Sequence, residues 1–265
     1  MVMIQDRTLS VWRDQVQARV RIAGQGPSLV FLHGATGLKW DEFLDSLSQS
    51  HTVYAPEHPG TTPGDPDAIK PLDDFWDLVL YYYELFDHLE LESPAVVGHS
   101  FGGMVAAELA ATDPKRVGKL VLISPLGLWR DDAPVKNWMS MAPDALAREL
   151  FYESEGPVAK GILAESEDPE ERLTNTIQNT WNLGCTGKFT WPIPDKGLKK
   201  RMHRIQAPTL VVWGQQDGIA PAIYARDFTD RIAGSRSEII DRAAHIPQLE
   251  QLATVSQMVQ DFLRT

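Results

Sequence analysis

The chain has 265 residues, 43% of them apolar and 23% charged, with a formal net charge of −11. That length supports one large α/β domain with a sizeable core, and the excess of acid disfavours nucleic acid and anionic membranes as partners. One cysteine, Cys185, excludes an intramolecular disulfide. Residues 1–7 lack the apolar stretch of a secretion signal, and no run approaches the roughly 18 apolar residues that span a bilayer, so a cytoplasmic protein with no membrane partner is expected.

Residues 8–12 and 18–22 alternate apolar and polar side chains, the pattern of an antiparallel pair at a sheet edge. The runs at 29–32, 52–55, 95–97, 120–123 and 209–213 are continuously apolar, as strands buried on both faces of a mostly parallel sheet are, and 237–240 would be a last short strand. Between them, 72–89 repeats apolar side chains at three- and four-residue steps, and 248–263 carries Leu249, Leu252, Val255, Val259 and Phe262 on one stripe, so both read as amphipathic helices. The proline-rich stretch 56–66 reads as a surface loop skirting the site. This alternation predicts an α/β fold with a doubly wound, mostly parallel central sheet, whose sites lie at the carboxyl ends of its strands.

One stretch breaks the rhythm. Residues 126–204 contain no strand-like run and hold four of the eight tryptophans, Trp129, Trp138, Trp181 and Trp191. The expected organisation is a core of 1–125 and 205–265, with 126–204 as a helical cap over the carboxyl edge of the sheet. Within it, Cys185 follows Leu183-Gly184 and is expected in a loop. A cap must present apolar groups to a cleft, which makes Trp129 and Phe101 the expected substrate-binding side chains.

The hexapeptide Gly98-His99-Ser100-Phe101-Gly102-Gly103 sits between an apolar strand and a helical run, residues 104–111. It fits a nucleophile elbow, in which a strained turn lifts the serine hydroxyl out of the sheet and the flanking glycines let strand and helix approach. Ser100 would otherwise be a helix-capping serine. A serine hydroxyl needs an adjacent base oriented by a carboxylate. Asp217 follows the strand run 209–213, and His245 follows the next short strand. Asp217-Gly218 could instead be a turn dipeptide. Asp227 and Asp241 are rivals, and position 124 holds Ser124 rather than an acid. For the oxyanion, Phe101 N–H is one donor and Ala35 N–H the other, with Thr36 as alternative, in His33-Gly34-Ala35-Thr36-Gly37.

The residues His33-Gly34, the hexapeptide around Ser100, Asp217 and His245, in that chain order, resemble the α/β-hydrolase superfamily over nearly the whole chain. The resemblance implies an acyl-enzyme route with Ser100 as nucleophile, His245 as base and Asp217 as its orienting carboxylate. It implies neither metal nor organic cofactor, and a small-molecule substrate with an ester or activated carbonyl. A carboxylic-ester hydrolase is the expected activity. A hydrolase of carbon–carbon bonds in ring-cleavage products, an enol-lactonase and a non-catalytic ligand receptor are the alternatives. His99 is expected to pack beneath the site and His33 to order the oxyanion loop. His58 is expected to be structural, and His51, His88 and His203 to lie at the surface. Oligomeric state leaves no trace in the motifs.

Overall fold

The computed structural model describes residues 3–265. Eight strands form one sheet: β1 (Gln5–Val11), β2 (Val16–Ala23), β3 (Ser28–Leu32), β4 (Thr52–Pro56), β5 (Ala95–His99), β6 (Lys119–Ile123), β7 (Thr209–Gly214) and β8 (Arg236–Ile240). Their spatial order is β1-β2-β4-β3-β5-β6-β7-β8. The hairpin β1–β2 joins β4 antiparallel, and every other pairing is parallel. Side chains alternate across a strand. Leu29, Phe31, Val97, Val121 and Val212 therefore fill one face, while Val30, Leu32, Val96, Leu122 and Trp213 fill the other. Both faces are covered, which is why these strands read as continuous apolar runs.

The first face packs against α1 (Glu42–Ser48) and the C-terminal helices. The second packs against α2 (Phe75–His88) and α3 (Phe101–Thr112). Helix α2 starts at Phe75 because the Asp74 carboxylate accepts the N–H groups of Trp76 and Asp77. Between β6 and β7 lie α4 (Pro143–Leu150), α5 (Pro157–Leu163) and α6 (Pro169–Thr190), and no strand. Helix α7 (Ile223–Thr229) links β7 to β8, and α8 (Pro247–Glu250) and α9 (Leu252–Arg264) close the chain. Among the described residues no helix is long and apolar enough to cross a membrane.

Four expectations need correction. The helix expected over 248–263 is broken at Gln251 (φ −125°, ψ 50°), where Gln251 Nε2 donates to Arg242 O and Glu250 reaches back to Ala244 N–H. Cys185 lies in helix α6, not a loop. His51 is buried rather than exposed, under the turn between β2 and β3, and its Nδ1 pairs with Ser50 Oγ. Of the proline-rich stretch, residues 56–61 are buried and only the part beyond them reaches the surface. There the backbone N–H of His58 is consumed by His33 and that of Glu57 by Arg19 O.

The N-terminus of α3 lies against the ends of β3 and β5. A Cβ on Gly102 would strike the Leu32 and His33 carbonyls, and one on Gly98 would come within 2.8 Å of Gly103 Cα. Neither obstacle is a side chain that can swing away. Gly102→Ala should therefore destabilise the fold by more than about 2 kcal/mol in urea unfolding, as backbone overpacking does. Gly161→Ala, where a Cβ meets nothing within 4 Å, should be neutral or stabilising.

Candidate active site

Ser100 sits between β5 and α3 at φ 54°, ψ −115°, a conformation L-residues avoid. Three backbone bonds hold it there. Its N–H donates to Ile123 O (2.9 Å), and its carbonyl accepts from Met104 N (3.1 Å) and Leu126 N (3.0 Å). Although Ser100 occupies the capping position of α3, its hydroxyl makes no capping bond. That hydroxyl lies 2.8 Å from His245 Nε2.

His245 stands in the segment between β8 and α8. Its Nδ1 lies 2.8 Å from Asp217 Oδ2, so Nδ1 carries the proton and Nε2 is the acceptor for Ser100. Asp217, in the turn after β7, also accepts from Trp213 Nε1 (3.0 Å) and from the N–H groups of Ile219 and Ala220 (2.9 Å each). All three side chains are buried. The rivals are engaged elsewhere: Asp227 pairs with Arg130 and Arg231, and Asp241 lies beside Gln216.

The backbone around Asp217 and His245 is tied to the helical insertion. His245 N–H donates to Leu150 O (3.0 Å) and Gly218 N–H to Glu149 O (3.2 Å), both at the end of α4. Glu250 clamps both sides of this joint, accepting from Ala244 N and Tyr152 N at 2.7 Å each. Burial raises its carboxyl above the ordinary range. Sequence reasoning missed Glu250 and Trp213. A glutamate three residues into a short helix and a tryptophan at a strand end carry no motif that announces those partners.

The loop after β3 reaches Ser100: a Cβ on Gly34 would lie 3.5 Å from Ser100 Cβ. His33 Nε2 accepts the His58 backbone N–H (3.0 Å), leaving Nδ1 to donate to Gly34 O (2.7 Å). His58 Nε2 donates to His33 O (2.8 Å), and its Nδ1 accepts from the Tyr82 hydroxyl. The peptide group is planar and trans, so fixing the Gly34 carbonyl also fixes the direction of Ala35 N–H. Among the described residues, no protein acceptor engages the N–H of Ala35 or of Phe101. His99 packs beneath, its Nε2 donating to His245 O (2.8 Å).

Phe101 and Trp129 are the two side chains expected to bind substrate. The Phe101 ring is buried, stacked on Phe189 of α6 at 6.2 Å and set edge-on to His58. Trp129 is half-buried against the core, with its indole N–H on Asp131. Neither lines the cavity of about 780 Å³ that opens beside Thr36 and Gly37, and neither do Ser100, His245 or Asp217. Its walls are more polar than expected, with Gln178, Asn179 and Asn182 of α6 opposite Arg21 and Glu57. Glu57 is only 5% exposed, and its Oε2 has no protein partner. Asn182 Nδ2 and Thr186 Oγ1 of the same helix hold the carbonyls of Thr36 (2.9 Å) and Ala35 (3.4 Å).

A family model described as the alpha/beta hydrolase fold matches residues 27–252. The chain belongs to the α/β-hydrolase fold family. It is 26% identical over 263 residues to the 2-hydroxy-6-oxo-6-phenylhexa-2,4-dienoate hydrolase of Burkholderia cepacia, covering 91% of this chain and 89% of that one. Its identity to the pimeloyl-[acyl-carrier protein] methyl ester esterase of Vibrio campbellii is 22% over 254 residues, covering 90% and 95%. It is also 29% identical over 245 residues to the dihydrolipoyllysine-residue acetyltransferase component of the acetoin cleaving system of Cupriavidus necator. That alignment covers 88% of this chain but only 63% of the relative's length. This α/β-hydrolase thus has esterases and carbon–carbon bond hydrolases among its relatives.

Burial lowers the imidazoles of His58 and His99 to about 4 and about 3. Below about pH 6.5 the unfolded chain takes up protons that these folded imidazoles refuse, so their contribution, present above pH 6.5, is lost on acidification. Asp41, lifted by burial to about 6, acts in the opposite sense over the same interval. With His33 also held low by burial, the histidines outweigh it. The free energy from urea unfolding should fall by several kcal/mol between pH 7 and pH 4, and a rise over that range would contradict the assignment.

Proposed function

We propose that this α/β-hydrolase cleaves carboxylic esters through an acyl-enzyme on Ser100. The observation that carries the reading is the continuous chain of contacts from Ser100 Oγ to His245 Nε2 and from His245 Nδ1 to Asp217 Oδ2, each 2.8 Å. As Ser100 Oγ bonds to the ester carbonyl carbon, its proton passes to His245 Nε2. The Asp217 carboxylate stabilises the imidazolium that results. The carbonyl oxygen, now an anion, accepts hydrogen bonds from the N–H groups of Phe101 and Ala35, which no protein acceptor engages. His245 returns the proton to the departing alkoxide. A water deprotonated by His245 then attacks the acyl carbon, releasing the acid and regenerating Ser100.

In this reading residues 126–204 act as a cap over the core formed by 1–125 and 205–265. The ties from α4 to His245 and Gly218, and from α6 to the loop after β3, support that role. The insertion lines the cavity with the α6 amides Gln178, Asn179 and Asn182 and with the apolar side chains of Ala147, Ile162 and Leu163, so a substrate carrying both polar and apolar substituents finds partners there. The Burkholderia cepacia relative favours a second reading, hydrolysis of a carbon–carbon bond beside a ketone, on the same three residues.

Steady-state turnover of p-nitrophenyl esters from acetyl to decanoyl tests the proposal. The chain length with the highest wild-type efficiency sizes the pocket, and Ser100→Ala should lower kcat by about 10⁴-fold. A loss of only tenfold would remove Ser100 from the nucleophile role. Asp217→Asn should cost about 10³-fold or more in kcat with little change in melting temperature. Turnover of vinylogous diketones but of no ester would favour the carbon–carbon reading.

A further inference from the structure

Helix α6 is built inside out. Its amide face, Asn175, Gln178, Asn179 and Asn182, lines the cavity. The opposite stripe, Leu173, Ile177 and Trp181 at successive turns, points away from the body and is 61%, 61% and 42% exposed. Soluble helices normally place these faces the other way round, and a contiguous apolar patch on a surface marks an interaction site.

The flanks of the stripe are prepared for burial. Thr174, Thr176 and Thr180 each turn the hydroxyl back onto the carbonyl four residues earlier, at 2.8–2.9 Å. Covering the stripe would therefore leave no hydroxyl proton without an acceptor. Beside Trp181 the surface dips into a groove of about 500 Å³ walled by Ile69, Ile177, Trp181, Cys185 and Lys188, with Gly184 among them. A Cβ on Gly184 would meet no atom within 4 Å. The fold thus has no use for a poor helix former there, whereas a closely approaching chain does.

We propose that the face is covered by a second copy of this chain, with the two α6 helices packed antiparallel about a two-fold axis at residue 179. The spacing of the stripe is self-complementary in that register. Ile177 meets the partner's Trp181, Leu173 enters the partner's groove beside Gly184 and Cys185, and Glu170 meets the partner's Lys188. Each contact occurs twice, as an isologous interface requires. Glu170 in the first turn and the exposed Lys188 in the last give the two ends opposite charge. Parallel packing would instead place like charges together. The acidic first turn, Glu170 and Glu171, also disfavours an anionic lipid surface as the occupant.

Sedimentation equilibrium of the full chain tests this. Wild type should dimerise, and Ile177→Asp should weaken association by at least about a hundredfold, with unchanged far-ultraviolet circular dichroism. Glu170→Lys and Lys188→Glu should each weaken the dimer by about tenfold, and the double reversal should return it to within about threefold of wild type. A wild-type monomer at all concentrations would overturn the proposal. So would a dimer indifferent to Ile177→Asp, or a double reversal no better than the single ones. A monomer that binds phosphatidylcholine vesicles through Ile177 would assign the face to lipid and overturn it equally.

Discussion

The site depends on one close approach, the N-terminus of α3 against the ends of β3 and β5. Backbone meets backbone at Gly98 and Gly102, and the chain can make that passage only by driving Ser100 to φ 54°. Such a conformation costs on the order of 1–3 kcal/mol, and the bonds to Ile123, Met104 and Leu126 over-determine it. The same approach that strains Ser100 brings the loop after β3 beside it and leaves the Phe101 N–H free. The placements of Ser100, of the start of α3 and of the loop after β3 are therefore consequences of one packing constraint rather than three independent ones.

A second layer keeps that geometry dry and fixed. His33, His58 and Tyr82 form a buried relay in which every ring nitrogen has a partner, and burial holds both imidazoles neutral. Neutrality matters physically. A charged His33 would carry protons on both nitrogens and could not accept the His58 N–H, so the loop would lose one of the two bonds that lock it. The stability cost of keeping histidines unprotonated is thus linked to the orientation of the Ala35 N–H, some distance along the same chain of hydrogen bonds.

The sequence was most legible where periodicity and a local motif coincide. The strands buried on both faces, the hairpin at the edge and the elbow around Ser100 follow from side-chain alternation and from glycines that backbone contact demands. Chain order brought Asp217 and His245 into consideration, and the structure places both in line with Ser100. What stayed hidden depends on contacts between distant segments. Glu250 breaks the last helix in order to bind Ala244 and Tyr152. Residues 56–61 are rich in turn formers yet buried, because His33 and Arg19 take up their backbone groups. In the insertion, Trp181 and Trp191 face outward, and α6 turns Asn175, Gln178, Asn179 and Asn182, with Arg172 and Thr176, towards the cavity.

That inversion gives α6 two tasks on opposite faces. Through Asn182 and Thr186 it holds the carbonyls of Thr36 and Ala35, and through Phe189 it stacks on the ring beside the nucleophile. Residues 170–177, the helix's leading half, are exposed on all sides, so little within the chain fixes that half in place. An isolated helix with few buried contacts frays readily, and any looseness at its leading end reaches the amide wall at Asn175, Gln178 and Asn179. A copy of the chain docked on the Leu173–Ile177–Trp181 stripe would supply the missing constraint from outside. The face that looks wasted on solvent is then the one by which the cavity wall is held to a single shape.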